Sequence, residues 1–387
     1  MSQQVSSFNI GPVTKRSMPF WCIGYPGGDP FGGSVLKPLN SAAIATIIRR
    51  AAGNGWIELT SAHDDDLVPW NPDKPEDDLD TNGEVHETLL KVKGILDEAG
   101  VGVNMLTCSL HSNALFRDGG LTNPNPKIRD LARLKVQRTL RIGNMLSAKY
   151  FTYWVARDGF EVAVKVPWVD VISLIINGLN GVTQYIDTNG LDNYVGATIE
   201  PKPNEPRGHM FVPTAGHAQG IIAQLEKPAF WGVNPELIQH EGMTLLDPLT
   251  CIANLVNAGQ LSFLHFGNQI KGQFDNDFPP LVGPEHLKET SQMFWLLDLL
   301  GWKGIVEYDC HMLRCETDPE HQVQCKLDFI ENCSTGLSIA LQLATRLKKV
   351  DVTGLSHTKA DLKAIMAMCG LDEGDVQKLT TKAPPRT

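Results

Sequence analysis

Eight times between Phe20 and Leu347, a short run rich in β-branched and aromatic residues is followed by a longer amphipathic segment. The strand-like runs are Phe20–Tyr25, Trp56–Thr60, Val101–Leu106, Tyr150–Val155, Tyr194–Ile199, Phe230–Val233, Leu261–Phe266 and Gly304–Tyr308. The segments between them predict helices that include Asn40–Ala52 with Asn40 as N-cap, Glu84–Ala99, Lys127–Leu146, Val169–Ile186, Pro248–Ala258 and Glu285–Leu300. Gly53, Gly100, Gly259 and Gly301 follow four of these, where a left-handed C-cap is expected. This alternation predicts an α/β chain folded as a closed parallel (β/α)8 TIM barrel. No GxGxxG follows the first run to favour a doubly wound sheet. Residues 1–349 form the predicted barrel. Residues 350–387, polar and with one weak helix at Lys359–Met368, form a short helical or extended arm suited to packing on a neighbouring subunit.

A barrel of this kind places its chemistry just past the C-terminal ends of the strands. The polar residues obey that phase: His63, Thr107, Trp154, Glu200, Glu236, His265 and Asp309 fall one per unit, with Trp21 on the first predicted strand. After the fifth strand comes Glu200-Pro201-Lys202-Pro203-Asn204-Glu205-Pro206-Arg207-Gly208. Each proline fixes φ and removes a backbone donor, so the charged residues sit on a stiff support that cannot continue a sheet. Charges held so rigidly at a strand end point to a preorganised site.

Glu200, Glu236, His265 and Asp309 come from four consecutive strand ends and converge on one side of the mouth. Crowded carboxylates oppose each other's ionisation, and a cation is the simplest way for them to share one place. Glu236, His240, Asp275 and Asp277 offer a second set, with Glu236 between the two. Oxygen-rich donors with one imidazole per set suit Mg, Mn or Co better than metals that prefer thiolate. Each residue alone has a plainer explanation. Asp275 and Asp277 resemble turn residues, His240 a helix-face residue, His265 and the two tryptophans core, and Asp64, Asp65 and Asp66 a solvated turn. Those separate explanations leave the shared phase unaccounted for.

The formal net charge of −10 and the lack of a basic stripe exclude a nucleic-acid partner. The eight cysteines are scattered without a CxxC pair, which points to a reducing, cytoplasmic location, and Cys310, His311 and Cys315 lack the partner pair of a zinc finger. No apolar run approaches membrane-spanning length, and the first residues lack the apolar core of a signal peptide.

Several blocks together resemble the xylose (glucose) isomerases of the shorter, actinobacterial type. These are Asp29-Pro30-Phe31-Gly32, His63-Asp64-Asp65-Asp66-Leu67, Glu200 to Gly208, Pro213-Thr214 with Gly216-His217-Ala218, and Val233-Asn234-Pro235-Glu236 followed by His240-Glu241. The resemblance implies a (β/α)8 enzyme, a homotetramer or dimer, that interconverts an aldose and its ketose with two divalent cations. D-xylose and D-xylulose are the expected pair, with slower conversion of D-glucose to D-fructose. By position it implies Glu200, Glu236, His265 and Asp309 as ligands of one cation and Glu236, His240, Asp275 and Asp277 of the other. It implies further that Lys202 holds O1 of the sugar and that His63, oriented by Asp66, assists ring opening before a 1,2-hydride shift. Trp21, Thr107 and Trp154 would contact substrate, with Phe31 reaching in from a neighbouring subunit.

The departures matter too. His265 stands where the family has aspartate, and one extra residue separates Glu236 from His240. His111 replaces a wall phenylalanine, and Trp154-Val155-Ala156-Arg157-Asp158-Gly159 departs from the family's Trp-Gly-Gly-Arg-Glu-Gly. They leave open a barrel isomerase or epimerase with another substrate, or a barrel that binds sugar or metal without turnover.

Overall fold

The computed structural model describes residues 11–24, 38–75, 79, 83–273, 275–280, 286–312 and 321–381. Eight parallel strands form the barrel wall: β1 (Val13–Ser17), β2 (Leu59–His63), β3 (Gly102–Thr107), β4 (Tyr150–Trp154), β5 (Gly196–Glu200), β6 (Trp231–Val233), β7 (Leu264–Phe266) and β8 (Gly304–Tyr308). Consecutive strands are neighbours from β1 to β6, and β8 lies between β1 and β7. The circle closes between β6 and β7 through the parallel bridges Val233–Leu261 and Glu236–His265. No open edge is left at that seam, so the ends of β5 to β8 are drawn together.

The outer ring consists of α1 (Phe20–Gly24) and α2 (Ser41–Gly53) after β1, then α3 (Asp64–Leu67) and α4 (Glu84–Glu98) after β2. Next come α5 (Pro126–Met145), α6 (Val171–Thr188), α7 (Ala215–Ile222), α8 (Pro248–Asn257) and α9 (Leu287–Leu299), one after each of β3 to β7. After β8 comes α10 (Gln322–Lys348), then α11 (His357–Cys369) and α12 (Glu373–Thr381). Local chemistry sets several starts. Asn40 Oδ1 accepts from Ala43 N at 2.9 Å, and Asp247 accepts from Thr250 N at 3.0 Å ahead of Pro248. Among the described residues no helix is long and apolar enough to cross a membrane.

The first strand departs from expectation. Phe20–Tyr25 was the strand-like run, yet Phe20–Gly24 is one helical turn, Tyr25 lies outside the described residues, and the wall is built by the polar Val13-Thr14-Lys15-Arg16-Ser17. Its polarity is met by tertiary partners. The buried Arg16 pairs with Glu58 at 2.6 Å, and Ser17 faces the barrel interior. Trp21 therefore reaches the rim from a helix. β2 also begins three residues later than expected, which places His63 within the strand. Gly100, Gly259 and Gly301 take positive φ as anticipated, but after α2 it is Gly55, at φ 74°, and not Gly53 that turns left-handed. The arm holds two helices where one was expected, and α11 is tied to α10 by Arg346 Nη1 donating to Met368 O at 2.6 Å.

One buried charge cluster fixes the rim beside β2. Asp64 was expected in a solvated turn, but it is fully buried with Lys135 and Arg138 of α5. Lys135 Nζ bonds its carboxylate, Arg138 Nη1 lies 3.5 Å from it, and Ser109 N donates to it at 2.8 Å. The ammonium also reaches Asp65 at 3.2 Å. The turn that follows His63 and carries Asp66 is thus bolted to the helix behind it. Removing one partner strands a buried charge, so Asp64→Asn is expected to cost about 3–5 kcal/mol. Urea unfolding checks this; a loss under about 1 kcal/mol contradicts the role given to the cluster.

Candidate active site

A cavity of about 440 Å³ opens at the C-terminal ends of the strands. Trp21, His63, Asp66, Thr107, Trp154, Glu200, Lys202, Glu236, His240, Asp275, Asp277 and Asp309 all line it. His265 does not: its ring is fully buried behind Glu200 and Asp309. Phe31 and the block around it lie outside the described residues.

The acids and imidazoles group closely. In each of three trios (Glu200, His265, Asp309; Glu200, Glu236, His240; Glu236, Asp275, Asp277) one donor atom per residue lies within 4.8 Å of the others. The first and third trios fall within the two sets expected, and the middle one joins them. Trp21, foreseen as a wall, also donates from Nε1 to Asp309 Oδ1 at 2.8 Å. Lys202 Nζ lies 2.7 Å from Asp275 Oδ2 and 5.6 Å from the Trp154 ring. His63 Nδ1 lies 3.4 Å from Asp66 Oδ2, and the same carboxylate accepts from His63 N at 2.8 Å. Thr107 Oγ1 is buried and has no hydrogen-bond partner among the described residues.

The Pro-rich block is braced as its sequence requires. Lys202 N donates to Val212 O at 3.1 Å, Met210 N to Pro203 O at 3.3 Å, and Arg207 forks onto Glu161 at 2.6 and 2.7 Å. The segment after Glu236, where the resemblance implies one extra residue, is irregular as well. Leu237–Glu241 is a π-helical turn, the form by which one inserted residue is absorbed within a helix. It leaves His240 Nε2 against the Glu236 carboxylate and 3.4 Å from Asp275 Oδ2. The same turn aims Gln239 Nε2 at Glu236 Oε1 (2.8 Å) and Asp309 O (2.6 Å).

Gln239 was not anticipated, and neither were Asn234, whose Nδ2 donates to Glu200 Oε2 at 3.2 Å, and Glu307, 3.1 Å from His265 Nε2. Glu307 stands on β8 two residues before Asp309, which follows the strand directly, and that spacing was a usable signal. Gln239 had none, because its aim depends on the π turn. His63, His111 and Trp154 meet edge to face, with centroids 5.2 Å and 4.9 Å from His111 to the other two, so the wall is more polar than two tryptophans would make it.

Electrostatics follow from crowding. Burial pushes Glu236 up to about 8; His240 pulls against this and the Asp309 charge adds to it. Burial, then repulsion from Asp275 and Glu236, raises Asp277 well above the usual carboxylate range. Burial likewise raises Glu200, with His265 opposing. Asp275 is held well below that range despite burial, by Lys202 and His240. Burial favours neutral rings at His240 and His265, but the facing carboxylates overcome it and raise both well above normal. Burial also lowers His63, but Asp66 outweighs it and raises the ring overall.

The donor set fits divalent cations. Among the described residues His240 Nε2 and His265 Nδ1 are buried without an aligned hydrogen bond, although carboxylates stand beside both. Atoms that crowd without bonding one another are arranged to share a third partner.

No family model matches the chain. Xylose isomerase of Thermus thermophilus is 32% identical over 310 residues, 79% of this chain and 75% of that protein. Xylose isomerase of Thermus caldophilus is 32% identical over 307 residues, with the same coverage. Among solved structures, an L-ribulose 3-epimerase superposes with a TM-score of 0.58 at 12% identity, over 89% of this chain and 99% of that one. The zinc-bound IOLI protein does so at 0.57 and 11% identity, over 85% and 98%. D-psicose 3-epimerase of Clostridium cellulolyticum H10 gives 0.55 at 11%, over 84% and 98%. At such identities these structural likenesses speak for the barrel fold alone.

Cation binding requires Glu236 without its proton. Since burial keeps that proton on Glu236 up to about 8 while no cation is bound, binding near pH 7 should release protons, and affinity should fall as pH drops from 8 towards 6. Calorimetry of Mn²⁺ binding in buffers of different ionisation enthalpy measures the release; affinity independent of pH across this range contradicts the assignment.

Proposed function

The chain belongs to the xylose isomerase family, and from that premise we propose that it is a divalent-cation-dependent aldose–ketose isomerase. Its proposed reaction converts D-xylose to D-xylulose, and more slowly D-glucose to D-fructose, by ring opening and a 1,2-hydride shift. The observation that carries this reading is the meeting of Lys202 and His63 with the acid and imidazole cluster in one cavity under Trp21 and Trp154.

Glu200, Glu236, His265 and Asp309 would hold one cation, and Glu236, His240, Asp275 and Asp277 a second, with Mg, Mn or Co suited to such donors. When bound, the cations supply Lewis acidity that polarises the sugar's oxygens and favours hydride transfer over loss of a proton. His63, its Nδ1 turned to Asp66, presents Nε2 to take the proton of the O1 hydroxyl and supply one to the ring oxygen as the sugar opens. Lys202 holds charge as it develops at O1, and its stem is fixed by the flanking prolines. Trp21, Trp154 and Thr107 shape the cavity around the open chain, the tryptophans excluding water. Helix α11 and the turn after it expose Leu362, Ile365 and Leu371, and we assign this arm to contacts between subunits of a homo-oligomer, dimer or tetramer, in the cytoplasm.

His265 favours a second reading, a related sugar epimerase, because an imidazole in the first set reduces its negative charge. The label at C2 separates the two. With EDTA-stripped protein restored by Mg, Mn or Co, [2-²H]-D-xylose should give D-xylulose with deuterium retained at C1. An epimerase exchanges that hydrogen with solvent, and no product with any cation would remove the isomerase reading. Lys202→Met should lower kcat by at least about 10²–10³-fold while Mn²⁺ still binds; unchanged turnover would falsify its role at O1.

A further inference from the structure

Below the cavity floor the barrel interior is polar, where such barrels are ordinarily filled by branched apolar side chains. Its centre is Glu307 of β8, fully buried. Oε2 accepts from Ser17 Oγ of β1 at 2.5 Å, from Ser61 Oγ of β2, and from Asn104 Nδ2 of β3 at 3.1 Å. Oε1 lies 3.1 Å from His265 Nε2 of β7. All five residues are at most 1% exposed.

With three donors turned to it, Glu307 meets its neighbours as an acceptor, so its contact with His265 needs a proton on Nε2. In a neutral imidazole that leaves the lone pair on Nδ1. This nitrogen lies 3.0 Å from Asp309 Oδ2 and 3.6 Å from Glu200 Oε2, without an aligned hydrogen bond to either. Asn234 Nδ2 also lies 3.5 Å from Nε2, but its shorter bond is to Glu200 at 3.2 Å. A buried carboxylate destabilises a fold unless donors surround it, and this one has three besides the imidazole.

We propose that Glu307 is a positioning residue for the first cation site: it fixes the ring and tautomer of His265 so that Nδ1 is the ligand atom, while Ser17, Ser61 and Asn104 fix Glu307. The inference rests on the reading of Glu200, His265 and Asp309 as a cation site. It explains why a layer that apolar side chains could fill is instead built from polar ones on four strands around His265.

The test uses the full chain stripped with EDTA. Calorimetry gives Mn²⁺ affinity, and ¹⁵N spectra of the histidine rings under saturating Mg²⁺ give the protonated nitrogen of His265. In the wild type Nε2 should carry the proton and Nδ1 none. Glu307→Gln sets an amide against either the three donors or the imidazole; Mn²⁺ affinity at the first site should fall about 10–100-fold and the His265 proton should move to Nδ1. Ser61→Ala, which keeps the Glu307–His265 contact, should cost less than about 10-fold and leave the tautomer unchanged. A folded Glu307→Gln protein with wild-type affinity and tautomer overturns the proposal. If that variant does not fold, a cation-loaded wild type with its proton on Nδ1 overturns it equally. A wild type that binds no cation at all instead refutes the cation reading itself, and calorimetry of that one protein tells the two failures apart.

Discussion

Like charge packed into a small buried volume is the constraint on which this molecule turns. Glu200, Glu236, Asp275, Asp277 and Asp309 share one end of the barrel with Lys202, His240 and His265. Two unit charges 4 Å apart interact by about 4 kcal/mol at the dielectric of a partly buried site, so five carboxylates cannot all ionise there unaided. The two histidines and the lysine offset part of this charge. The unaligned nitrogens and the raised Glu236 and Asp277 mark what is left for a cation to neutralise.

The fold makes that crowding possible and holds it in place. Closing the barrel between β6 and β7 brings Glu236 directly beside His265, a pairing no local element could produce. Around the mouth the backbone is stiffened wherever a charge must not drift. Prolines flank Lys202, the Asp64–Lys135–Arg138 cluster anchors the turn after His63, and the π turn sets His240 against Glu236 and Asp275. Each device is bought with local irregularity in an otherwise regular barrel, and each touches a residue of the cavity or its immediate neighbour.

Much of this was legible in the sequence, because the barrel has a period and the period has a phase. Strand ends could be named from short apolar runs, and Glu200, Glu236, His265 and Asp309 fell at the right phase to meet. β1 was illegible for the opposite reason. Val13–Ser17 lacks apolar alternation, since Arg16 is paired with Glu58 and Ser17 with Glu307, and both partners are remote in sequence. Asp64 read as a surface acid because Lys135 and Arg138, which bury it, lie some seventy residues on. The donor role of Trp21 and the aim of Gln239 likewise depend on tertiary placement that no local pattern encodes.

The central claim is that one cluster of acids and imidazoles at the barrel mouth is built around divalent cations. Anomalous diffraction at the Mn edge from crystals soaked in Mn²⁺ tests it most directly. The account predicts two peaks that share Glu236, one within coordination distance of Glu200, His265 Nδ1 and Asp309, the other of His240, Asp275 and Asp277. Ordered side chains in the same positions with no anomalous peak among them would contradict it.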